Sequence, residues 1–183
     1  MARILIVEDE QRIASFVAKG LRAEGHQPTV VADGPGGLLW RLSMAAVVED
    51  GAFSILPGID RVLTVIEGPE FDLVGDGVRL RADPLVPVAF SGDVLMAAAG
   101  VKGPAVDFNV MVRRGMFVST VMVVSGRFEA SGDVVGVFAL EAVSVEVEGA
   151  VVPMARHDFL LGNGGVIGVA SGAVIVVTLV AGD

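Results

Sequence analysis

The feature that most limits the fold is a recurring one. From Trp40 onward, short apolar runs rich in valine alternate with turns built on glycine. Val62–Glu67 ends at Gly68, and Val143, Val145 and Val147 alternate with Ser144, Glu146 and Glu148 before Gly149. Phe71–Val74 and Val78–Arg81 flank Gly75-Asp76-Gly77, and Asp-Gly supplies the positive φ angles of a tight hairpin. Asp107–Val112, Met116–Val124, Val134–Leu140 and Val174–Val180 are further runs of strand length. β-branched side chains are stiff at χ1 and suit a pleated, half-buried surface better than a helix. With 24 glycines in 183 residues, the pattern predicts many short buried strands joined by tight turns, an all-β body.

The second half repeats the first loosely. Val151-Val152-Pro153 and His157 to Leu161 echo Pro87 to Leu95. Two similar all-β halves predict two barrels or sandwiches. Phe159 to Gly182 carries no formal charge and is long enough to span a bilayer. Its β-branched residues and its polar and turn-prone interruptions instead predict two buried strands around Ser171-Gly172.

Trp40 to Arg61 organises the body. The apolar run Trp40–Val48 breaks at Glu49-Asp50-Gly51. An ordered loop follows, carrying Phe53, Ser54 and the Pro57-Gly58 turn, and it ends at Asp60-Arg61. Loops held between strands are where small-ligand sites sit. The competing reading is a tight connection stapled by an Asp60–Arg61 pair.

Three blocks in fixed order carry a family resemblance: WRLSMAAVVEDGAFSILPGIDRVLTVIEG from Trp40, PLVPVAFSGD from Pro84 to Asp93, and GPAVDFNVMVRRG from Gly103 to Gly115. They resemble the HutD/Ves family, small bacterial cupin-like proteins linked to histidine utilisation. The resemblance fades after Gly115 and is absent before about Leu38. It implies a bicupin body over residues 38–183, a small acid from histidine breakdown as ligand (urocanate or a formylated glutamate), and a role in modulating histidine utilisation. Family members begin with a Trp- and Gly-rich segment of their own. Here Arg3 to Val7 is expected to replace the strand it supplies.

Residues 1–37 read differently. The run Arg3–Val7, the acids Glu8-Asp9-Glu10 and a helical spacing of Ile13, Phe16, Val17, Gly20 and Leu21 are followed by a strand-like Thr29–Ala32. This β-α-β order resembles the start of a response-regulator receiver domain, an incomplete one, joined to the body near Asp33 to Leu38. The resemblance implies Mg²⁺ at Glu8 and Asp9 beside a phospho-accepting Asp. That acceptor is missing: Phe53 stands three residues before the Leu56-Pro57-Gly58 turn, and Asp50 is misplaced. Glu8 and Asp9 then offer at most a weak cation site, and the competing reading is solvated charge at a strand end.

The formal net charge of −9 argues against nucleic acid or an anionic membrane as partner. The chain has no cysteine, hence neither disulfides nor thiolate metal sites. The apolar run at Ile4 to Val7 is too short for a secretory signal, so the expected location is cytoplasmic. Only two histidines occur, His26 and His157, too few for the His-rich metal centre of metal-binding cupins. No cofactor is expected, and a homodimer is the one protein association expected.

The polar residues left in the matched blocks define the candidate ligand site: Arg41, Ser43, Phe53, Ser54, Asp60, Arg61, Asn109 and Arg113. Arg41 and Ser43 share one face of their strand, and Asn109 shares one with Asp107. A guanidinium fork pairs a carboxylate with two hydrogen bonds. An apolar interior with a few convergent polar groups is the usual design of a small-molecule site. The reading is a metal-independent module binding a small carboxylated metabolite. Two alternatives stand beside it: a metal-free enzyme on such an acid, with Glu67 or Asp60 as base, and a degenerate receiver-type fusion. The structural alternative makes Asp60–Arg61 and Asp107–Arg113 plain ion pairs.

Overall fold

The computed structural model describes residues 5–7, 16–18, 29–34, 36–147, 149–163 and 166–182. Every element among them is a strand. They divide into two compact units, one holding Leu5–Val7 and residues 29–116, the other Phe16–Ala18 and residues 117–182.

In the first unit a six-stranded sheet comprises β1 (Leu5–Val7), β3 (Thr29–Gly34), β4 (Gly37–Val47), β11 (Ala105–Arg113), β6 (Ile59–Glu67) and β9 (Val88–Ser91), in that order. A four-stranded sheet, ordered β5 (Gly51–Ala52), β10 (Ala97–Ala99), β7 (Phe71–Gly75) and β8 (Val78–Ala82), supplies the other half of the core. Leu63 and Val65 of the first sheet meet Phe71, Leu73, Ala82 and Ala98 of the second in one apolar cluster. Fully burying side chains such as Phe71, Leu63 and Leu73 stabilises the fold by about 1.5–3 kcal/mol each. The β7–β8 hairpin turns through Asp76 at φ 46° and Gly77 at φ 74°, the left-handed pair its sequence called for.

Eight strands of the second unit repeat eight of the first, while β1 and β3 in the first and Phe16–Ala18 in the second are additions at the edges. Its large sheet runs β12 (Phe117–Ser125), β19 (Ala173–Ala181), β14 (Val134–Ala139), β17 (Phe159–Asn163) and β2 (Phe16–Ala18). The small sheet runs β13 (Phe128–Ser131), β18 (Val166–Ser171), β15 (Val143–Val147) and β16 (Ala150–Met154). Thus β4-β11-β6-β9 is matched by β12-β19-β14-β17, and β5-β10-β7-β8 by β13-β18-β15-β16. The core of this unit is almost wholly valine and small aliphatics, from Val135, Val137 and Ala139 to Val174 and Val176.

Three expectations need correction. The helical face containing Phe16 and Val17 is a strand at those residues, Phe16–Ala18, paired antiparallel with Phe159–Leu161. No helix occurs among the described residues, and the remainder of that segment, with Glu8, Asp9 and His26, lies outside them. An aromatic and a valine on an open sheet edge gain ladder bonds there, which outweighs a weak helical spacing. The junction expected at Asp33 to Leu38 is instead a hairpin: β3 and β4 pair antiparallel from Thr29↔Ser43 to Gly34↔Gly37, with Gly37 at φ 91°. Leu5–Val7 adds to the outer side of β3 in parallel register. Finally, Phe159 to Gly182 holds three strands rather than two, with a turn at Gly172. Among the described residues no helix is long and apolar enough to cross a membrane.

Candidate functional site

Strand β11 lies between β4 and β6, so its residues meet partners on both sides. Side chains directly across a ladder share a face, and the registers define three rows on the inner face of the sheet. Arg41, Met111, Arg61 and Phe90 form the first row. Ser43, Asn109, Leu63 and Val88 form the second, and Ala45, Asp107 and Val65 the third. Leu63 and Val65 in these rows belong to the apolar core, so a set of polar groups is built into a hydrophobic interior.

Arg61 is 4% exposed, Asn109 2% and Asp107 0%. One Arg61 terminal nitrogen donates to Asn109 Oδ1 at 3.1 Å; the other reaches the Ser54 carbonyl oxygen only at 3.5 Å. The guanidinium carbon sits 5.3 Å from the Phe53 ring centre and 4.9 Å from that of Phe90. Aromatic faces attract a cation, and here they also hold it away from water. Asn109 Nδ2 in turn donates to Asp107 Oδ1. Asn109 therefore stands between guanidinium and carboxyl. Two buried polar atoms of this set, Arg61 Nε and Asp107 Oδ2, have no hydrogen-bond partner among the described residues. Leaving such atoms unmade costs about 1–3 kcal/mol each.

Burial sets the charge states. Desolvation pushes the Asp107 carboxyl up to about 7, against the opposing pull of the Arg61 charge and the Asn109 hydrogen bond. Desolvation also lowers Arg61, with Asp107 favouring its charge and the neighbouring Arg41 opposing it. A guanidinium stays protonated regardless. Near neutrality the interior thus holds a fixed cation beside a carboxyl poised between its two forms.

The remaining candidates fall elsewhere. Asp60 lies on the opposite face, where Arg114 binds its Oδ1 at 2.6 Å. Arg114 also donates to Asp93 at 2.7 Å and to Ser91 Oγ at 2.9 Å, so this arginine is the centre of a surface network. Neighbouring residues on a strand point to opposite faces, which is why Asp60 and Arg61 form no staple. Arg113 Nε donates to the Leu38 carbonyl oxygen at 2.7 Å, tying the end of β11 to the start of β4; it does not pair with Asp107. Ser54 is exposed and brings its backbone carbonyl to Arg61. Asp50 accepts from the backbone nitrogens of Gly100 and Val101 at 3.1 and 2.8 Å, a loop tether whose hydrogen bonds lower its carboxyl. His157, in the second unit, sits in a turn at φ 67° and stacks on Phe138 of the same unit. Among the described residues no three His, Cys, Asp or Glu side chains converge as a metal site, and a guanidinium beside a lone carboxyl is a poor donor set for a cation. One contributor, Phe90, escapes a purely sequential reading. Asp107 was legible through its alternation with Asn109, whereas Phe90 reaches Arg61 only through the β6–β9 pairing.

The repeat supplies an internal control. In the second unit the row matching Ala45–Asp107–Val65 is Val124–Val174–Ala139. The row matching Ser43–Asn109–Leu63 is Met122–Val176–Val137, and Val135 stands where Arg61 does. The row matching Arg41–Met111–Arg61 is Thr120–Thr178–Val135, so the same topology closes in these three rows without a charged side chain. Buried arginine, asparagine and aspartate are not needed to build this fold, and an apolar replacement of a buried charged group is often neutral or stabilising.

The HutD family model matches residues 28–173. HutD from Pseudomonas fluorescens SBW25 (formate condition) is 31% identical, with a TM-score of 0.74 over 92% of this chain and 95% of that one. A conserved protein of unknown function from Pseudomonas aeruginosa PAO1 is 26% identical, with a TM-score of 0.73 over 81% of this chain and 84% of that one. Protein Ylba from E. coli, 10% identical at a TM-score of 0.63 over 84% and 82%, shares the fold. The match starts ten residues before Leu38 and extends to residue 173, within the second unit, so both halves carry it. With its paired β units and its matching sequence from residue 28, the chain is a cupin-fold protein that belongs to the HutD family.

Proposed function

We propose that this protein is a bicupin that binds a small carboxylated metabolite without a metal, acts in the cytoplasm, and modulates histidine utilisation as its HutD membership suggests. One observation carries the reading. Arg61 is a buried guanidinium with an unpartnered Nε, held between Phe53 and Phe90 in an interior whose repeat counterpart holds valine. A desolvated fork with spare donors is complementary to a carboxylate, and a charge-assisted bond there is about twice as strong as a neutral one. Ser43 and Asn109 line the adjoining row, and the aromatic rings cover the apolar side of a small ligand. The formate condition of the P. fluorescens HutD structure makes formate the first probe, with urocanate and N-formyl-L-glutamate beside it.

A thermal-shift panel tests the reading. A probe at about a hundred times its Kd adds nearly 3 kcal/mol to the folded state. The expected result is a clear shift with at least one acid, lost in Arg61→Met. A panel without any shift from a cooperatively melting protein rejects the reading.

Asp107 favours a second reading, a metal-free enzyme. A buried carboxyl pushed to about 7 has the proton affinity that general acid–base work needs near neutrality. The bases expected earlier are less suitable: Asp60 is engaged by Arg114 on the surface, and Glu67 sits at the bulged end of β6. Turnover of a binding acid, followed by NMR, separates enzyme from binding module.

A further inference from the structure

We propose that the first unit takes up a proton at Asp107 when an anionic acid docks on Arg61, so that the site binds an ion together with a proton. This deepens the small-acid reading and rests on it. The geometry supplies three grounds. Asp107 is wholly buried, and its Oδ2 has no hydrogen-bond partner among the described residues, which leaves one oxygen placed to carry a proton. Asn109 links it to Arg61, accepting from the guanidinium and donating to Asp107 Oδ1. A charge arriving at Arg61 is therefore felt one residue away. In the repeat, the same row holds Val174 between Val124 and Ala139, so neither the carboxyl nor its relay serves the architecture.

The charged groups facing Asp107 are few. Across β4 its neighbour is Ala45, with Arg41 further along the same face. Across β6 it is Val65, with Arg61 further along and Glu67 opposite the adjacent Val106. The core side chains that the facing sheet contributes are apolar: Phe71, Leu73, Ala82 and Ala98. A bound carboxylate at Arg61 sets a like charge near Asp107 and competes for the cation that favours its ionised form. Both effects raise proton affinity. Because burial already brings the carboxyl to about 7, the uptake falls in the neutral range. The balance is simple. Asp107 Oδ2 gains one proton from buffer, the ligand stays an anion, and no other bond changes.

The linkage has a definite sign. Below about pH 7 the carboxyl is already protonated and affinity is flat. Above it, affinity falls by up to tenfold per pH unit until the proton affinity of the bound form is passed. The experiment is calorimetric titration of the full chain with formate and with N-formyl-L-glutamate at pH 6, 7, 8 and 9. Each is run in two buffers of different ionisation enthalpy. The expected result is uptake of about half a proton at pH 7 and more at pH 8. Affinity should weaken above pH 7. In Asp107→Asn both the uptake and the pH dependence should disappear, with folding checked by a cooperative urea transition. Buffer-independent heats with a flat affinity would overturn the inference and leave the small-acid reading standing. Uptake that persists in Asp107→Asn assigns the proton to another group and also overturns it. Failure of both probes to bind at pH 6 overturns the inference, and the small-acid reading falls with it when urocanate also gives no thermal shift.

Discussion

Asp107→Asn is expected to invert the usual pH behaviour of a buried acid's contribution to stability. The folded carboxyl titrates near 7 against an ordinary value of 3.8. Between those values the unfolded chain has lost the proton and the folded chain keeps it, so raising the pH removes stability. Each unit is worth about 1.4 kcal/mol, and about three units give an upper bound of ~4 kcal/mol. Relaxation around a newly formed charge lowers this to ~2–4 kcal/mol. Above pH 7 both states are ionised and the loss is complete. Asparagine is close to the protonated acid in shape, never ionises, and still offers an oxygen to Asn109 Nδ2. The variant should therefore match the parent only below about pH 4, lead it by about a third of the full difference at pH 5, and exceed it by ~2–4 kcal/mol at pH 8. Urea unfolding of both proteins at pH 5, 6, 7 and 8 measures this. Taking the difference cancels every other titrating group, including Glu70 and Asp93, whose carboxyls are held at about 2 by Lys102 and by the Gly58 amide respectively. Those two act in the opposite direction, their contribution disappearing only as pH falls below the ordinary carboxylate range. A stability difference that is flat with pH, or that favours the parent at pH 8, would refute the reasoning. It would mean that Arg61 holds Asp107 ionised throughout.

Two backbone and packing predictions test the frame around the site. Gly68 adopts φ 84°, and a Cβ there would press on the Pro104 carbonyl oxygen and lie 2.7 Å from Ala105 Cα, whereas at Gly77 nothing stands within 4 Å. Gly68→Ala should cost ~2–4 kcal/mol and Gly77→Ala about 1–2 kcal/mol in urea unfolding, since only the first adds a clash to left-handed strain. Leu160 is fully buried in the valine-rich core of the second unit, so Leu160→Ala should cost about 2–5 kcal/mol by the same measurement. A loss under 1 kcal/mol there would mean that the core collapses to fill the space.

Much of the strand content was legible because the signals are local. The Asp76-Gly77 turn, the Val143–Val147 alternation and the run Val174–Val180 each announce a strand or a hairpin within a few residues. The inner-face pairs Arg41 with Ser43 and Asp107 with Asn109 follow from alternation alone, because a strand repeats every two residues. The N-terminal stretch misled for a matching reason. Phe16 and Val17 fit a helical spacing only while their partner strand, Phe159–Leu161, is unknown. A short apolar run does not distinguish helix from buried strand without its neighbours.

Local chemistry in the chain thus determined an all-β body of two related halves, an interior marked by a few polar residues, and the absence of thiolate ligands. Only the tertiary structure decided which charges meet. Pairing of β6 with β9 brings Phe90 to Arg61, and pairing with β11 brings Asn109 within reach, while the one-residue step from Arg61 to Asp60 sends that acid to Arg114 on the surface. The desolvation that moves Asp107 to about 7 likewise comes from two sheets closing over it. Hydrogen bonding and burial are properties of residues distant in sequence and adjacent in space, and strand register sets that adjacency.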